Sequence, residues 1–197
     1  MRDRDRERTV PMSPTTRQMK KIVWTFGLIS GAVMAVFMVA TIPFIGDHGA
    51  ADALVGYAGM IGAFLLVYFG VRSYRDSILG GTISFGRAFS AGILIAAIAS
   101  LCYVATWEVI YYKFMPDFYS KYGQSVVERA RKSGKSEAEV ARLRADMDAM
   151  IKRVENPVFV TVVTFGEPFP VGLVIALVSA GVLRRKRAEG GTVLAPA

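Results

Sequence analysis

Residues Ile22–Ile45 read IVWTFGLISGAVMAVFMVATIPFI, a run that holds no charged side chain. A helix that crosses the hydrocarbon core of a bilayer needs roughly 20 mostly apolar residues. Three more apolar stretches follow, at Leu54–Val71, Phe89–Tyr112 and Pro157–Leu183. Because backbone groups in lipid must be hydrogen-bonded within the chain, each stretch is expected to be helical. The sequence therefore predicts an all-α membrane protein with four transmembrane helices.

The composition fits a membrane domain with little else attached. The chain is 53% hydrophobic with a mean hydropathy of +0.38, and its apolar residues are gathered in blocks. The polar remainder predicts a disordered arm at 1–18 and a disordered tail at 188–197, which leaves 19–187 as the membrane domain. This leaves no room for a separate soluble catalytic domain.

The net charge of +8 follows the membrane topology and does not predict nucleic-acid binding. Lys and Arg number seven before the first span, none at Gly46–Ala53, three in the second connection and four after the last span. The positive-inside rule then predicts a multi-pass membrane protein with both termini cytoplasmic. Parity places the mixed-charge segment 113–156 on the exterior face.

The segment 113–156 is predicted to form a helical hairpin between the third and fourth spans. Ser136 and Glu139 have the spacing of a capping box, and Gly134 suits the end of a preceding helix. Apolar residues recur at helical spacing in both helices: Phe114, Phe118, Tyr122 and Val126 in the first, and Val140, Leu143, Met147, Met150, Ile151 and Val154 in the second. Two interpretations stay open: a binding lid over the bundle, or a hairpin that packs on itself or lies at the membrane interface.

Small residues spaced four apart predict close helix packing within the bundle. Lipid removes most of the hydrophobic drive between helices, so the close approach of backbones matters more. The rows are Gly27, Gly31 and Ala35; Gly59 and Ala63; Ala88, Gly92, Ala96 and Ser100; and Gly172, Ala176 and Ala180. Packing inside one chain is favoured, and a dimer interface is the alternative.

Glu167 is the strongest candidate for a functional residue. It lies ten residues after Pro157, about 15 Å into the span at the rise of an α-helix. A carboxylate at that depth costs a few kcal/mol unless it is paired, wet or protonated. Pro168 and Pro170 remove backbone donors and predict a broken helix. One interpretation is a cation site in a broken helix, and the other is a proline kink whose acid bonds a hydroxyl or an arginine.

Four other sets of residues are weaker candidates for functional sites. Glu108, in the third span, is expected to pair with Lys113 or to reach the interface. Arg72, Arg75 and Arg87 are candidate contacts for lipid headgroups, with membrane orientation as the simpler role. His48 with Asp47 and Asp52 makes a poor metal site, and the lone Cys102 is read as a buried small side chain. No catalytic residue, metal site or cofactor is predicted.

Five stretches of the chain resemble the bacterial membrane family called domain of unknown function 4199, DUF4199. They are MKKIVWTFGLISG (Met19–Gly31), GVRSYRD (Gly70–Asp76), GTISFGRAFSAGILIA (Gly81–Ala96), WEVIYYKFMPDF (Trp107–Phe118) and ENPVFVTVVTFGEPFPVGL (Glu155–Leu173). The resemblance implies four transmembrane helices with a helical insert between the third and fourth. The family has no established activity, so it supplies no catalytic residues.

Two functions are therefore predicted as alternatives. The first is a non-enzymatic integral membrane protein that acts through partners or envelope organisation. Its expected partners are the lipid bilayer and either a second copy of the chain or another membrane protein. The second is a small proton- or cation-coupled transporter or channel subunit that uses Glu167. The state of this carboxyl group separates the two.

Overall fold

The computed structural model describes residues 14–42 and 50–185, and the regular structure of these residues is helical. A π-helical turn, Tyr74–Ile78, extends the second helix. The α-helices in chain order are α1 (Pro14–Thr41), α2 (Ala50–Ser73), α3 (Phe85–Lys113), α4 (Phe118–Lys132), α5 (Glu137–Val154), α6 (Pro157–Gly166) and α7 (Pro168–Leu183).

Four segments are long and apolar enough to cross a membrane. They are Thr15–Thr41, Leu54–Ile78, Phe85–Lys113 and Pro157–Leu183. The helices α4 and α5 form a hairpin between the third and fourth of these spans. The predicted fold class is confirmed: the chain is an all-α, multi-pass membrane protein with a helical insert.

The first span begins earlier than the sequence predicts. α1 starts at Pro14 and not at Ile22, so residues 14–18 of the predicted disordered arm are helical. Proline suits a first helical turn because the N–H it lacks would have no partner there. Residues 1–13, the connection that contains Asp47 and His48, and the predicted tail at 188–197 lie outside the described residues.

α3 is the central helix of the bundle and contacts α1, α2, α6 and α7. Its buried face is built mainly from small residues, and larger side chains such as Phe64 and Ile95 fill the space between the helices. A Cβ added at Gly92 would lie 3.0 Å from the Cβ of Ala176, and one added at Gly172 would lie 2.8 Å from the Cβ of Ala96. The small residues therefore serve packing within one chain, as predicted.

The second connection meets the end of the fourth span. Gly80 and Gly81 both have positive φ, 64° and 88°, so the predicted turn lies there. The N–H of Arg185 donates to the carbonyl of Ile83 at 3.0 Å. Ile83 belongs to the second connection and Arg185 follows α7. The bond between them therefore places the second connection and the end of α7 at the same end of the bundle.

The hairpin is capped as the sequence predicts. Ser136 Oγ accepts from the N–H of Glu139, and the Glu139 carboxylate accepts from the N–H of Ser136 at 3.0 Å, which completes the capping box. Gly134 has a φ of 74° between the two helices. Asn156 Oδ1 accepts from the N–H of Val158 at 2.9 Å, so the chain turns from α5 into α6 at Asn156-Pro157.

The two helices of the hairpin pack on each other through one face of each. α5 packs on α4 through Val140, Leu143 and Met147, which belong to the predicted stripe. The face of α4 that meets them is Gly123, Val127 and Ala130. Gly123 lets the Met147 side chain approach closely, which favours this face. The aromatic side chains at the start of α4 point towards α3 instead.

Candidate functional site

Glu167 is the single residue between α6 and α7, so the fourth span breaks at the acid. Pro168 opens α7 and is buried, whereas Pro170, the third residue of the helix, is exposed. Neither proline has an N–H to continue the helical ladder. The N–H of Glu167 makes a turn-like bond of 3.4 Å to the carbonyl of Thr164. The break predicted from the two prolines therefore lies at Glu167.

The Glu167 carboxylate bonds a hydroxyl on the third span. The Tyr103 hydroxyl donates to Glu167 Oε2 at 3.0 Å. Tyr103 is not among the site residues predicted from the sequence, although its position along the third span indicates that it could meet Glu167. It lies ten residues before the end of α3 at Lys113, and Glu167 lies ten residues after the start of α6 at Pro157. Antiparallel helices place such residues at the same level.

A cavity of about 320 Å³ opens beside this pair. It is formed where the start of the hairpin meets the third span and the broken fourth span. Its lining residues are Tyr103 and Trp107 from α3, Phe118, Tyr119 and Tyr122 from α4, Met150 from α5, Thr164 from α6, and Glu167 from the break. Glu167 thus has both a hydroxyl partner and a cavity in front of it.

The aromatic side chains of the cavity also hold the hairpin against the bundle. The Trp107 ring meets Phe118 edge to face with centroids 4.9 Å apart, and it meets Tyr119 in the same way at 6.4 Å. Phe118 is stacked with Tyr122 at 6.1 Å. Pairs of this geometry stabilise by about 0.5–1.5 kcal/mol beyond the area they bury. The Trp107 ring is therefore both a contact between α3 and the hairpin and part of the cavity wall.

Tyr119, which lies outside the spans, is held as a neutral phenol. Burial in the cavity wall raises the pKa of its hydroxyl. The ring therefore presents an uncharged aromatic surface near Glu167 at neutral pH. Glu167 carries the one carboxyl group among the residues that line the cavity.

Glu108 belongs to a second polar pair. The Thr161 hydroxyl in α6 donates to Glu108 Oε1, so this acid faces the fourth span and not the expected Lys113. Tyr103 and Glu108 are five residues apart on α3, which corresponds to about 7.5 Å along the helix. The two acids therefore form separate bonds at different levels. Among residues 14–42 and 50–185, no three His, Cys, Asp or Glu side chains come together as a metal site would require.

The three candidate arginines lie at the opposite end of α3 from the cavity. Arg75 Nε lies 2.6 Å from Asp76 Oδ1, and Arg72 Nε lies 3.6 Å from Asp76 Oδ2. Two of the guanidinium groups thus share one carboxylate. Arg87 is exposed in the first turn of α3, sixteen residues and about 24 Å from Tyr103. These residues take no part in the Glu167 cavity.

The comparisons with known proteins agree with this architecture. A family model described as "Protein of unknown function (DUF4199)" matches residues 25–185. The match includes most of the first span, the other three spans, the hairpin and Glu167. No curated protein and no solved structure matches the chain. Since the family model covers well over half of the sequence, the chain belongs to the DUF4199 family of proteins of unknown function.

Proposed function

We propose that this integral membrane protein is non-enzymatic and acts by binding a partner molecule in the Glu167 cavity. The observation that carries the proposal is the convergence of the third span, both hairpin helices and the broken fourth span on one cavity that holds a carboxylate. A cavity of about 320 Å³ lies at the small end of the range for small-molecule sites, about 300–1,000 Å³.

Glu167 has acceptor capacity left for a ligand. Tyr103 supplies one donor, to Oε2, whereas an ionised carboxylate can accept about four hydrogen bonds. An acid within a membrane span is costly, and intramembrane acids are by default candidates for function. The hairpin side chains Tyr122 and Met150 close one side of the cavity, which supports the interpretation of the hairpin as a lid.

The proposal is tested by a ligand screen on the purified protein in an uncharged detergent. Thermal unfolding is followed against a panel of small cations, anions and neutral molecules. We expect stabilisation by one chemical class, which Glu167→Gln abolishes and Glu108→Gln retains. Glu108 is the matched control because it is the other described acid in the half of the bundle that holds the cavity. Stabilisation that is equal in Glu167→Gln, or a panel with no active class, would overturn the proposal.

A second candidate function is proton- or cation-coupled transport. The observation in its favour is the break between α6 and α7 at an acid, since broken helices build ion sites in some transporters. Proteoliposomes that carry the protein should then show a proton or cation flux that Glu167→Gln abolishes and Glu108→Gln preserves. Binding without flux would favour the first function, and flux would favour the second.

We also propose a location and an orientation. The protein lies in the bacterial cytoplasmic membrane with both termini cytoplasmic and the α4–α5 hairpin on the exterior side. The distribution of Lys and Arg supports this orientation. The bond between Arg185 and Ile83 is compatible with it, because it joins the second connection to the end of the last span. The cavity would then open towards the exterior side.

A further inference from the structure

We propose that the ligand of the Glu167 cavity is an organic cation of the alkylammonium type. This inference rests on the proposed binding function and names the chemical class of its ligand. The structure brings one carboxylate and five aromatic side chains to the same cavity of about 320 Å³. Three of the rings come from the hairpin and two from the third span, so the site exists only when the hairpin is docked.

The aromatic walls favour a cation that is weakly hydrated. A cation over the face of Trp, Tyr or Phe, within about 6 Å of the ring centroid, is attracted by the ring quadrupole, and aromatic cages bind quaternary ammonium groups in this way. Trp107 stands edge to face with both Phe118 and Tyr119, whereas Phe118 and Tyr122 are stacked, so the rings of the wall lie in more than one plane. A wall of this shape surrounds a rounded group better than a flat one.

The carboxylate supplies the complementary charge. Glu167 faces the cavity while Oε2 accepts from Tyr103, which holds the carboxylate in position. An anion would be repelled by this group. A neutral apolar ligand would cover the carboxylate without compensating its charge, which is unfavourable. A cation removes both penalties.

The oxygen content of the wall argues against a divalent metal ion. Ca²⁺ takes six to eight oxygen ligands, and Mg²⁺ demands octahedral oxygen coordination. The lining offers one carboxylate and a few hydroxyls, and its other groups include aromatic rings and the thioether of Met150. Thioether and ring surface suit alkyl groups, because methionine sulfur and aromatic carbon are soft and polarisable.

The first test compares two probes of the same shape on the unmodified protein. Choline and 3,3-dimethyl-1-butanol differ only in having a charged nitrogen or a neutral carbon at the centre of the trimethyl group. Binding is measured by calorimetry in nanodiscs of phosphatidylglycerol. We expect binding of choline and at least tenfold weaker binding of the alcohol. Equal affinity for both probes, or no binding of choline or tetramethylammonium, would overturn the assignment.

Variants locate the site. Trp107→Leu should weaken choline binding by about 2- to 30-fold, which corresponds to the loss of one cation–π contact. Glu167→Gln should weaken it by at least tenfold. Tyr112→Leu is the matched control, because Tyr112 is an exposed ring of the same helix that does not line the cavity. Losses as large in the control as in Trp107→Leu would contradict the proposed site.

An alkylammonium group can reach the cavity in two ways, as a free cation from solution or as part of a lipid headgroup. Phosphatidylcholine is therefore added stepwise to the nanodiscs. A fall in the apparent affinity for free choline identifies the lipid headgroup as the occupant, and an unchanged affinity identifies the soluble cation. If ammonium probes fail while another class binds in a Glu167-dependent manner, the ligand class is wrong and the binding function stands. If no class binds, both are wrong.

Discussion

The hydroxyl of Tyr103 donates a hydrogen bond to Glu167 Oε2 at 3.0 Å, and this bond joins the third span to the break in the fourth. The break alone would leave a carboxylate in a transmembrane segment with no partner on its own helix. Tyr103 fixes the direction of the carboxylate, and both side chains line the cavity. The pair is thus both a structural contact between spans and one wall of the candidate site.

Tyr103→Phe should destabilise the bundle modestly. The substitution removes only the hydroxyl, and hydrogen bonds between transmembrane helices contribute about 0.6 kcal/mol on average and about 1.7 kcal/mol at most. We expect a loss in this range for the free energy of unfolding, measured by steric trapping or by denaturant titration in mixed micelles. Tyr112→Phe is the control, since Tyr112 is exposed on the same helix. Equal losses in the two variants would show that the Tyr103 bond contributes nothing specific.

Gly172→Ala should destabilise the packing of α7 on the bundle. A Cβ at this position would lie 2.8 Å from the Cβ of Ala96 and 2.9 Å from the ring of Phe64, so the helices must separate. Overpacking of this kind costs about 1–3 kcal/mol. Gly62→Ala is the matched control, because a Cβ there meets no described atom within 4 Å.

The unfolding free energy of both glycine variants is measured in the same micelles. Gly62→Ala is expected to be neutral or slightly stabilising, because glycine loses more backbone conformational freedom than alanine when the helix forms. A stable Gly172→Ala would contradict the close approach of α7 to α2 and α3.

Ser136→Ala should loosen the start of α5. The side chain of Ser136 accepts from the N–H of Glu139, and the loss of an N-cap of this type costs about 1 kcal/mol. Amide hydrogen exchange in the first turn of α5 should become roughly five times faster, because about 1 kcal/mol less stability raises the population of the open state by that factor. Ser125→Ala is the control, because Ser125 bonds a carbonyl of its own helix and caps nothing. Unchanged exchange at α5 would rule out a role for the cap.

The capping box should also weaken in acid. The hydrogen bonds from Ser136 hold the pKa of Glu139 below its usual range. Its contribution is therefore fully present above the ordinary carboxyl pKa and is lost as the pH falls through the lowered folded value. We expect the difference in exchange between Glu139→Gln and the unmodified protein to shrink as the pH falls through this window. A difference that is constant with pH would contradict the ionised cap.

The proposed orientation predicts which ends of the bundle react with an impermeant maleimide. Cys102 is the single cysteine of the chain and is replaced by alanine. Ser133→Cys, at the end of α4, should then be labelled on intact cells. Ser84→Cys, before α3, should be labelled only after the membrane is permeabilised. The reverse pattern would invert the topology and place the cavity towards the cytoplasm.

The family assignment and the architecture could both be predicted from the sequence, because each rests on local patterns. Hydrocarbon cannot hydrogen-bond a backbone, so long apolar runs such as Phe89–Tyr112 must become helices. The capping box at Ser136 and Glu139, the turn at Gly80-Gly81 and the break before Pro168 depend on neighbouring residues alone. The backbone conformation at these positions is determined by residues that are close together in the sequence.

Only the tertiary structure decided which groups meet across the helices. The sequence could not predict the hydrogen bonds from Tyr103 to Glu167 and from Thr161 to Glu108. The hydropathy of a span does not show how its helix is rotated about its own axis. It also could not identify which face of α4 packs on α5, since both faces carry apolar side chains and Gly123 allows the close approach of α5. The cavity at Glu167 depends on that rotation and on the docking of Phe118 and Tyr119 against Trp107. Helix formation is local, whereas the site is assembled from side chains of separate helices, and packing decides which of them face one another.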